Sequence, residues 1–207
     1  MTLPDNPLTL VDWRRATSEL YSAVRATVFG EEEQTWQRWR SGRDQLFKYH
    51  LQSPLGAQQR FEFHSLSYFP YDPDWRILAA IYPVVEPKTY AIDLGSDGEI
   101  NYSRIRRANF EKDGRDLQLN LFWIEGYGGG LFVPYGDHTN GHETFGGGRY
   151  LIDTIKGADL GFSEGQIILD FNYGYNPSCA YDPRWICPLA PSENELQLKV
   201  RAGEKAF

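Results

Sequence analysis

Residues 90–123 read YAIDLGSDGEINYSRIRRANFEKDGRDLQLNLFW, and their pattern decides the fold class. Tyr90, Ile92 and Leu94 alternate with polar residues, Ser96-Asp97-Gly98 has hairpin-turn chemistry, and Ile100 to Phe110 runs back as a second strand. Lys112-Asp113-Gly114 repeats the device before the alternating Leu117, Leu119, Leu121 and Trp123. Turns this tight join antiparallel neighbours, because parallel strands need a crossover of roughly a dozen residues. The stretch therefore predicts an antiparallel meander. Strict alternation along its middle strand would put Arg104 and Arg106 on one face and Arg107 on the other, a solvated strand face.

Working outward, Phe61 and Phe63, Leu66 and Tyr68, and Ile77 to Tyr82 read as short strands interrupted by the Pro70 to Pro73 turn. Downstream, strands are expected at Leu131 to Val133, Arg149 to Ile155, Ile167 to Asn172 and Leu196 to Val200. The N-terminal part has a different period. Trp13, Ala16, Leu20, Val24 and Val28 recur at helical steps, predicting a helix over about residues 9–28 that ends at Gly30. Glu31, Glu32 and Glu33 then open a second helix, where their charge complements the dipole, and Trp36, Trp39, Leu46 and Phe47 form its stripe up to Ser53-Pro54. The expected fold is mainly β (α+β): an antiparallel β-barrel or sandwich with two N-terminal helices packed on the outside. Residues 1–207 are expected to form a single domain, with about 9–50 as helical lead-in and about 60–207 as β-rich body.

Composition narrows the function classes. The aromatic share is 15%, with 13 Tyr, 12 Phe and 6 Trp, which suits pleated strands. A net charge of -7 offers no field for phosphate backbones or an anionic membrane surface, so neither nucleic acid nor membrane is an expected partner. The first ten residues lack a basic segment followed by an apolar run, and no stretch of about 18 apolar residues occurs, so a soluble cytoplasmic location is expected. Cys179 and Cys187 are then expected as buried, reduced thiols or an occasional disulfide; their spacing does not match common zinc knuckles. His138 and His142 have an H-x-x-x-H spacing but stand among Asn140, Gly141 and Gly146, where a turn removes its meaning, and no metal site is assigned.

Between Gly126 and Asn194, glycine, polar and aromatic residues are interleaved beyond what strand pairing requires. Neither Gly128–Gly130 nor Gly146–Gly148 has the sequence of a phosphate loop, and no Gly-x-Ser-x-Gly elbow is present. The segments Phe132-Val133-Pro134-Tyr135-Gly136-Asp137, Gly147-Gly148-Arg149-Tyr150-Leu151, Leu169-Asp170-Phe171-Asn172, Tyr175-Asn176-Pro177-Ser178-Cys179-Ala180 and Cys187-Pro188-Leu189-Ala190-Pro191 resemble the bacterial and archaeal domain-of-unknown-function family DUF1684. Tyr68-Phe69-Pro70, the helix around Trp36 to Phe47 and Arg201-Ala202-Gly203-Glu204 fit the same pattern. The resemblance implies a shared fold and no assigned reaction or cofactor.

Asp137, Glu143, Asp170 and Glu193 lie in or beside these segments, and a carboxyl held among aromatic rings can act as general acid or base. Arg149 would pair with one of them or hold a substrate anion. Asp170-Phe171-Asn172-Tyr173-Gly174-Tyr175-Asn176-Pro177 concentrates an acid, amides and phenols after an apolar strand, at the expected barrel mouth. The first expectation is a domain that binds a small-molecule ligand in a polar pocket there, through Asp137, Arg149, Tyr150, Asn172, Tyr175 and Asn176. An alternative is a hydrolase or isomerase of a small polar substrate that uses Asp170 or Glu143. A third is a protein-interaction module. The first two require the acids, amides and Arg149 to converge on one hollow.

Overall fold

Alternation and turn chemistry act locally, and the meander forms where they point. A computed structural model describes residues 7–93, 95 and 98–207. In it β2 (Thr89–Asp93), β3 (Glu99–Lys112) and β4 (Arg115–Ile124) pair antiparallel in sequence order. Asp113 and Gly114 take φ of 53° and 70° between β3 and β4, the left-handed pair that a two-residue hairpin turn demands. Leu94, Ser96 and Asp97 of the preceding turn lie outside the described residues.

The meander continues through β5 (Gly130–Asp137) and β6 (Arg149–Asp153). On the other side, β1 (Arg76–Pro83) pairs with the second half of β3, on the edge whose first half holds β2. β8 (Gln166–Asp170) then pairs with β1, and β7 (Phe162–Ser163) with β8. The path β6-β5-β4-β3-β1-β8-β7 is open, so the fold is a curled half-barrel of one sheet, neither a closed barrel nor two stacked sheets. Among the described strands one pairing is parallel, that of β9 (Glu195–Leu196) with the end of β5.

A bulge in β3 reassigns its faces. Arg104 stands opposite Phe122 and Arg106 opposite Leu121, so Ile105 is an extra residue and alternation inverts there. Tyr102 and Arg104 share a face with Ile124 and Phe122, whereas Arg106 lies on the other face with Ala108 and Leu119. Arg104 and Arg106 therefore point to opposite sides, against the expectation from strict alternation.

Each face of the sheet carries its own core. The inner one joins Leu119, Leu121, Val133 and Tyr135 to Ile167 and Leu169 of β8. Phe171 touches Trp75, Phe110 and Tyr135 with ring centroids 5.4, 6.0 and 5.1 Å apart, so residues from distant strands meet inside the curl and fill it. On the opposite face, Phe122, Phe132 and Tyr150 pack into one cluster with Tyr21, Trp36, Trp39 and Phe47 of the helices.

Those helices are α1 (Pro7–Arg25), α2 (Glu32–Tyr49) and the short α3 (Ala57–Glu62). The first two correspond to the expected pair, although α1 ends at Arg25, short of Gly30. The third replaces a strand expected around Phe61. Gln59 accepts the backbone N–H of Gly56 through Oε1 and closes its first turn, and Phe61 is 82% exposed, so its apolar side chain marks no core. Tyr68 makes only an isolated bridge to Glu204, and after Leu196 the chain leaves the sheet and runs beneath it.

Candidate functional site

The residues singled out in the sequence do not gather around one hollow. Asp137, at the end of β5, and Arg149, at the start of β6, form an ion pair of 2.8 Å with both side chains fully buried. Arg149 also donates to the carbonyls of Val200, Ala202 and Glu204, and Asp137 accepts from the backbone N–H groups of Thr139 and Val200. The pair thereby holds the C-terminal segment under the sheet. Main chain, the Thr139 hydroxyl and the ion pair itself take up its polar atoms apart from Arg149 Nε, which has no partner among the described residues, and with both side chains fully buried the pair offers no open face to a substrate anion.

Glu143 lies on the surface in a forked pair with Arg201. Those bonds hold its carboxyl below the ordinary range, the opposite of what a proton donor at neutral pH needs. Glu193 likewise pairs at the surface with Lys88. His138 and His142 stand on the turn between β5 and β6, where helical spacing has no meaning.

Asp170 ends β8 and is buried. Its Oδ1 accepts the backbone N–H of Asn172 at 3.1 Å and the Asn172 side-chain amide at 2.9 Å. Asn172 clips this turn to the 70–73 loop by donating to the Asp72 carbonyl and accepting the Asp72 N–H. Burial raises the Asp170 carboxyl to about 6, against the pull of these bonds and of Arg76 opposite it on β1. It faces a recess of about 370 Å³ shared with Tyr71, Arg76 and Tyr173.

Tyr150, Tyr175 and Asn176 do come together, in a different place. A hollow of about 360 Å³ lies between α1, α2, the outer face of β4–β6 and the loop over residues 175–188. It is not at a barrel mouth, because the inside of the curl is filled. Trp13, Ile124, Phe132, Ile155 and Ile186 make its wall mostly apolar. Tyr150 donates to the Pro188 carbonyl at 2.5 Å and so ties the loop to β6. Tyr175 is 7% exposed and Asn176 2% exposed, yet the Tyr175 hydroxyl and Asn176 Oδ1 have no hydrogen-bond partner among the described residues. The Asn176 amide nitrogen, by contrast, donates to the Lys205 carbonyl at 2.7 Å.

Beneath these groups lies a polar cluster that the sequence reading did not include. Arg43 of α2 donates to Glu204 at 2.9 Å and to the Tyr68 hydroxyl at 2.9 Å. Tyr181 and the backbone N–H of Asn176 complete the shell of Glu204. The Arg43 guanidinium stacks over Trp39, Phe47 and Tyr175 at 5.0–5.2 Å. A signal existed: Arg43 stands four residues from both Trp39 and Phe47, so a charge interrupts the apolar stripe of α2.

Comparison with known proteins gives a family and a similar fold and assigns no reaction. The family model described as a protein of unknown function (DUF1684) matches residues 61–205. A solution NMR structure of an uncharacterised protein of Haloarcula marismortui is similar at 35% identity and a TM-score of 0.61, covering 84% of this chain and 93% of that one. No curated protein matches.

Proposed function

The chain belongs to the DUF1684 family of unknown function, and from that footing we propose that it binds a small molecule with an apolar body and a polar end in the hollow between its helices and its sheet. The observation that carries this reading is the unpartnered pair, Tyr175 hydroxyl and Asn176 Oδ1, buried in the wall of a mostly apolar hollow. A buried polar group without a partner costs roughly 1–3 kcal/mol, and a ligand offering a donor and an acceptor at that end recovers it. An apolar wall with a few convergent polar groups is the usual make-up of a small-molecule site. Tyr150, Tyr175 and Asn176 are the contacts in this reading; Asp137 and Arg149 hold the scaffold.

The test is a melting and fluorescence titration with medium-chain alcohols, amides and carboxylates. Trp13 and Trp185 line the hollow and report occupancy. A ligand of the folded state raises the melting temperature by mass action. Tyr175→Phe should weaken the best binder by about tenfold, the loss of one buried hydrogen bond, and Ile124→Trp, which fills the hollow, should abolish binding. If no compound binds saturably, or Ile124→Trp binds as well as wild type, the reading fails. The alternative of a carboxylate-dependent enzyme has support in the raised carboxyl of Asp170 in its recess. It requires turnover of a compound that Asp170→Asn abolishes.

A further inference from the structure

The loop that closes the hollow carries both cysteines of the chain, and they are neighbours in space as free thiols. Cys187 Sγ accepts the backbone N–H of Cys179 at 3.4 Å. The two side chains lie close enough that each perturbs the other's thiol. The loop is held at several points between and just beyond them: Tyr181 bonds Glu204, the Trp185 indole donates to the Pro54 carbonyl, and Tyr150 donates to the carbonyl of Pro188, next to Cys187. Its chain is further turned by Ala180 N–H to Pro177 and Trp185 N–H to Asp182. The sulfurs therefore stay together because the surrounding fold holds their backbones, and Cys187 forms part of the wall of the hollow.

The two thiols are not equivalent. The Cys179 thiol beside it, the Cys179 N–H that its sulfur accepts and the field of Lys156 together hold Cys187 below the ordinary thiol range. Cys179, beside that sulfur and partly buried, is pushed up. The neighbouring Tyr150 hydroxyl is itself pushed up by burial and stays protonated beside them.

We propose that Cys187 and Cys179 form a redox-active dithiol in the wall of the hollow, with Cys187 as the attacking sulfur, Cys179 as the resolving one, and a hydroperoxide as the oxidant. In the first step the Cys187 thiolate attacks the terminal peroxide oxygen. An S–O bond forms and the O–O bond breaks, sulfur loses two electrons to oxygen, and the departing oxygen takes a proton to leave as water or an alcohol. In the second, Cys179 sulfur attacks Cys187 sulfur; an S–S bond forms, the S–O bond breaks, and the hydroxyl leaves with the Cys179 proton as water. A thiol reductant restores the dithiol by exchange. The chemistry uses the loop's own geometry and stands whether or not the hollow holds a ligand.

The full chain treated with hydrogen peroxide, then alkylated and weighed intact, is the test. The expected result is loss of the mass of two hydrogens, both thiols protected from iodoacetamide, no covalent dimer, and full reversal by dithiothreitol. Cys179→Ser should trap a sulfenic acid on Cys187 that reacts with dimedone, whereas Cys187→Ser should label at Cys179 at least about tenfold more slowly. If the wild-type thiols both remain alkylatable, if the disulfide forms only between chains, or if Cys179 takes up dimedone equally fast without Cys187, the assignment is overturned.

Discussion

Asp137 and Asp170 are both buried carboxyls, and their partners separate them. Asp137 has the Arg149 guanidinium at 2.8 Å, whereas Asp170 has amide donors and feels Arg76 only from across the strand pair. Burial without a close cation raises Asp170 from 3.8 to about 6. The consequence for stability has a definite sign. A carboxyl whose folded value is raised contributes stability that is complete below the unfolded value of 3.8 and lost as pH climbs through about 6. Asn at this position cannot ionise and keeps an acceptor oxygen for Asn172. Between pH 3.5 and 7, urea unfolding should therefore show Asp170→Asn gaining on the wild type by on the order of 3 kcal/mol. A difference independent of pH would mean that Asp170 ionises freely.

At the level of elements, α2 is held to the body by aromatic burial. Trp39 sits against Tyr21, Tyr68 and Tyr173 with centroids 5.7, 5.9 and 4.9 Å apart, and the Trp36 indole donates to the Asn172 carbonyl at 3.0 Å. Phe61 on α3 is equally apolar in the sequence and touches little. Trp39→Ala should cost about 3–5 kcal/mol of unfolding free energy, and Phe61→Ala should stay within about 0.5 kcal/mol. Equal losses would show that α3 packs more tightly than its exposure implies. The sequence signals behaved differently for these elements. Helical period identified α1 and α2 because each buries one long stripe. Alternation identified the meander because each turn is local. The same two-residue rhythm at Phe61 and Phe63 misled, since over so few residues it does not distinguish a strand from one turn of helix ending in extended chain.

On the scale of the whole molecule, the C-terminal segment is the keystone of both cores. Arg149 binds its carbonyls from β6, Arg43 binds Glu204 from α2, and Phe69 N–H reaches the Gly203 carbonyl. At Gly203, φ is +79°, and a Cβ there would meet the carbonyl oxygens of Phe171 and Gly174 at 2.6 and 2.7 Å, so the chain passes where only glycine fits. Because Arg43 and Glu204 join the helices to this segment, their substitutions should be strongly non-additive: a double-mutant cycle of Arg43→Met and Glu204→Gln should give a coupling of about 1–3 kcal/mol. Additive losses would show two independent sites. The Arg201-to-Glu204 motif was visible in the sequence, but its partners lie between 23 and 161 residues away, from Tyr181 to Arg43, and no local pattern announces such a pairing. The candidate site divides the same way. Tyr150, Tyr175 and Asn176 were legible as an unusual concentration of polar and aromatic groups, while their separation from Asp137, Arg149, Glu143 and Asp170 was not. By itself, then, the sequence determined strand rhythm, the tight turn at Asp113-Gly114, the two long helices and the family, because each rests on neighbours along the chain. Only the tertiary structure decided that the sheet stays open, that Ile105 inverts the faces of β3, and that the hollow lies beneath the helices, because these depend on which distant side chains fill the inside of the curl.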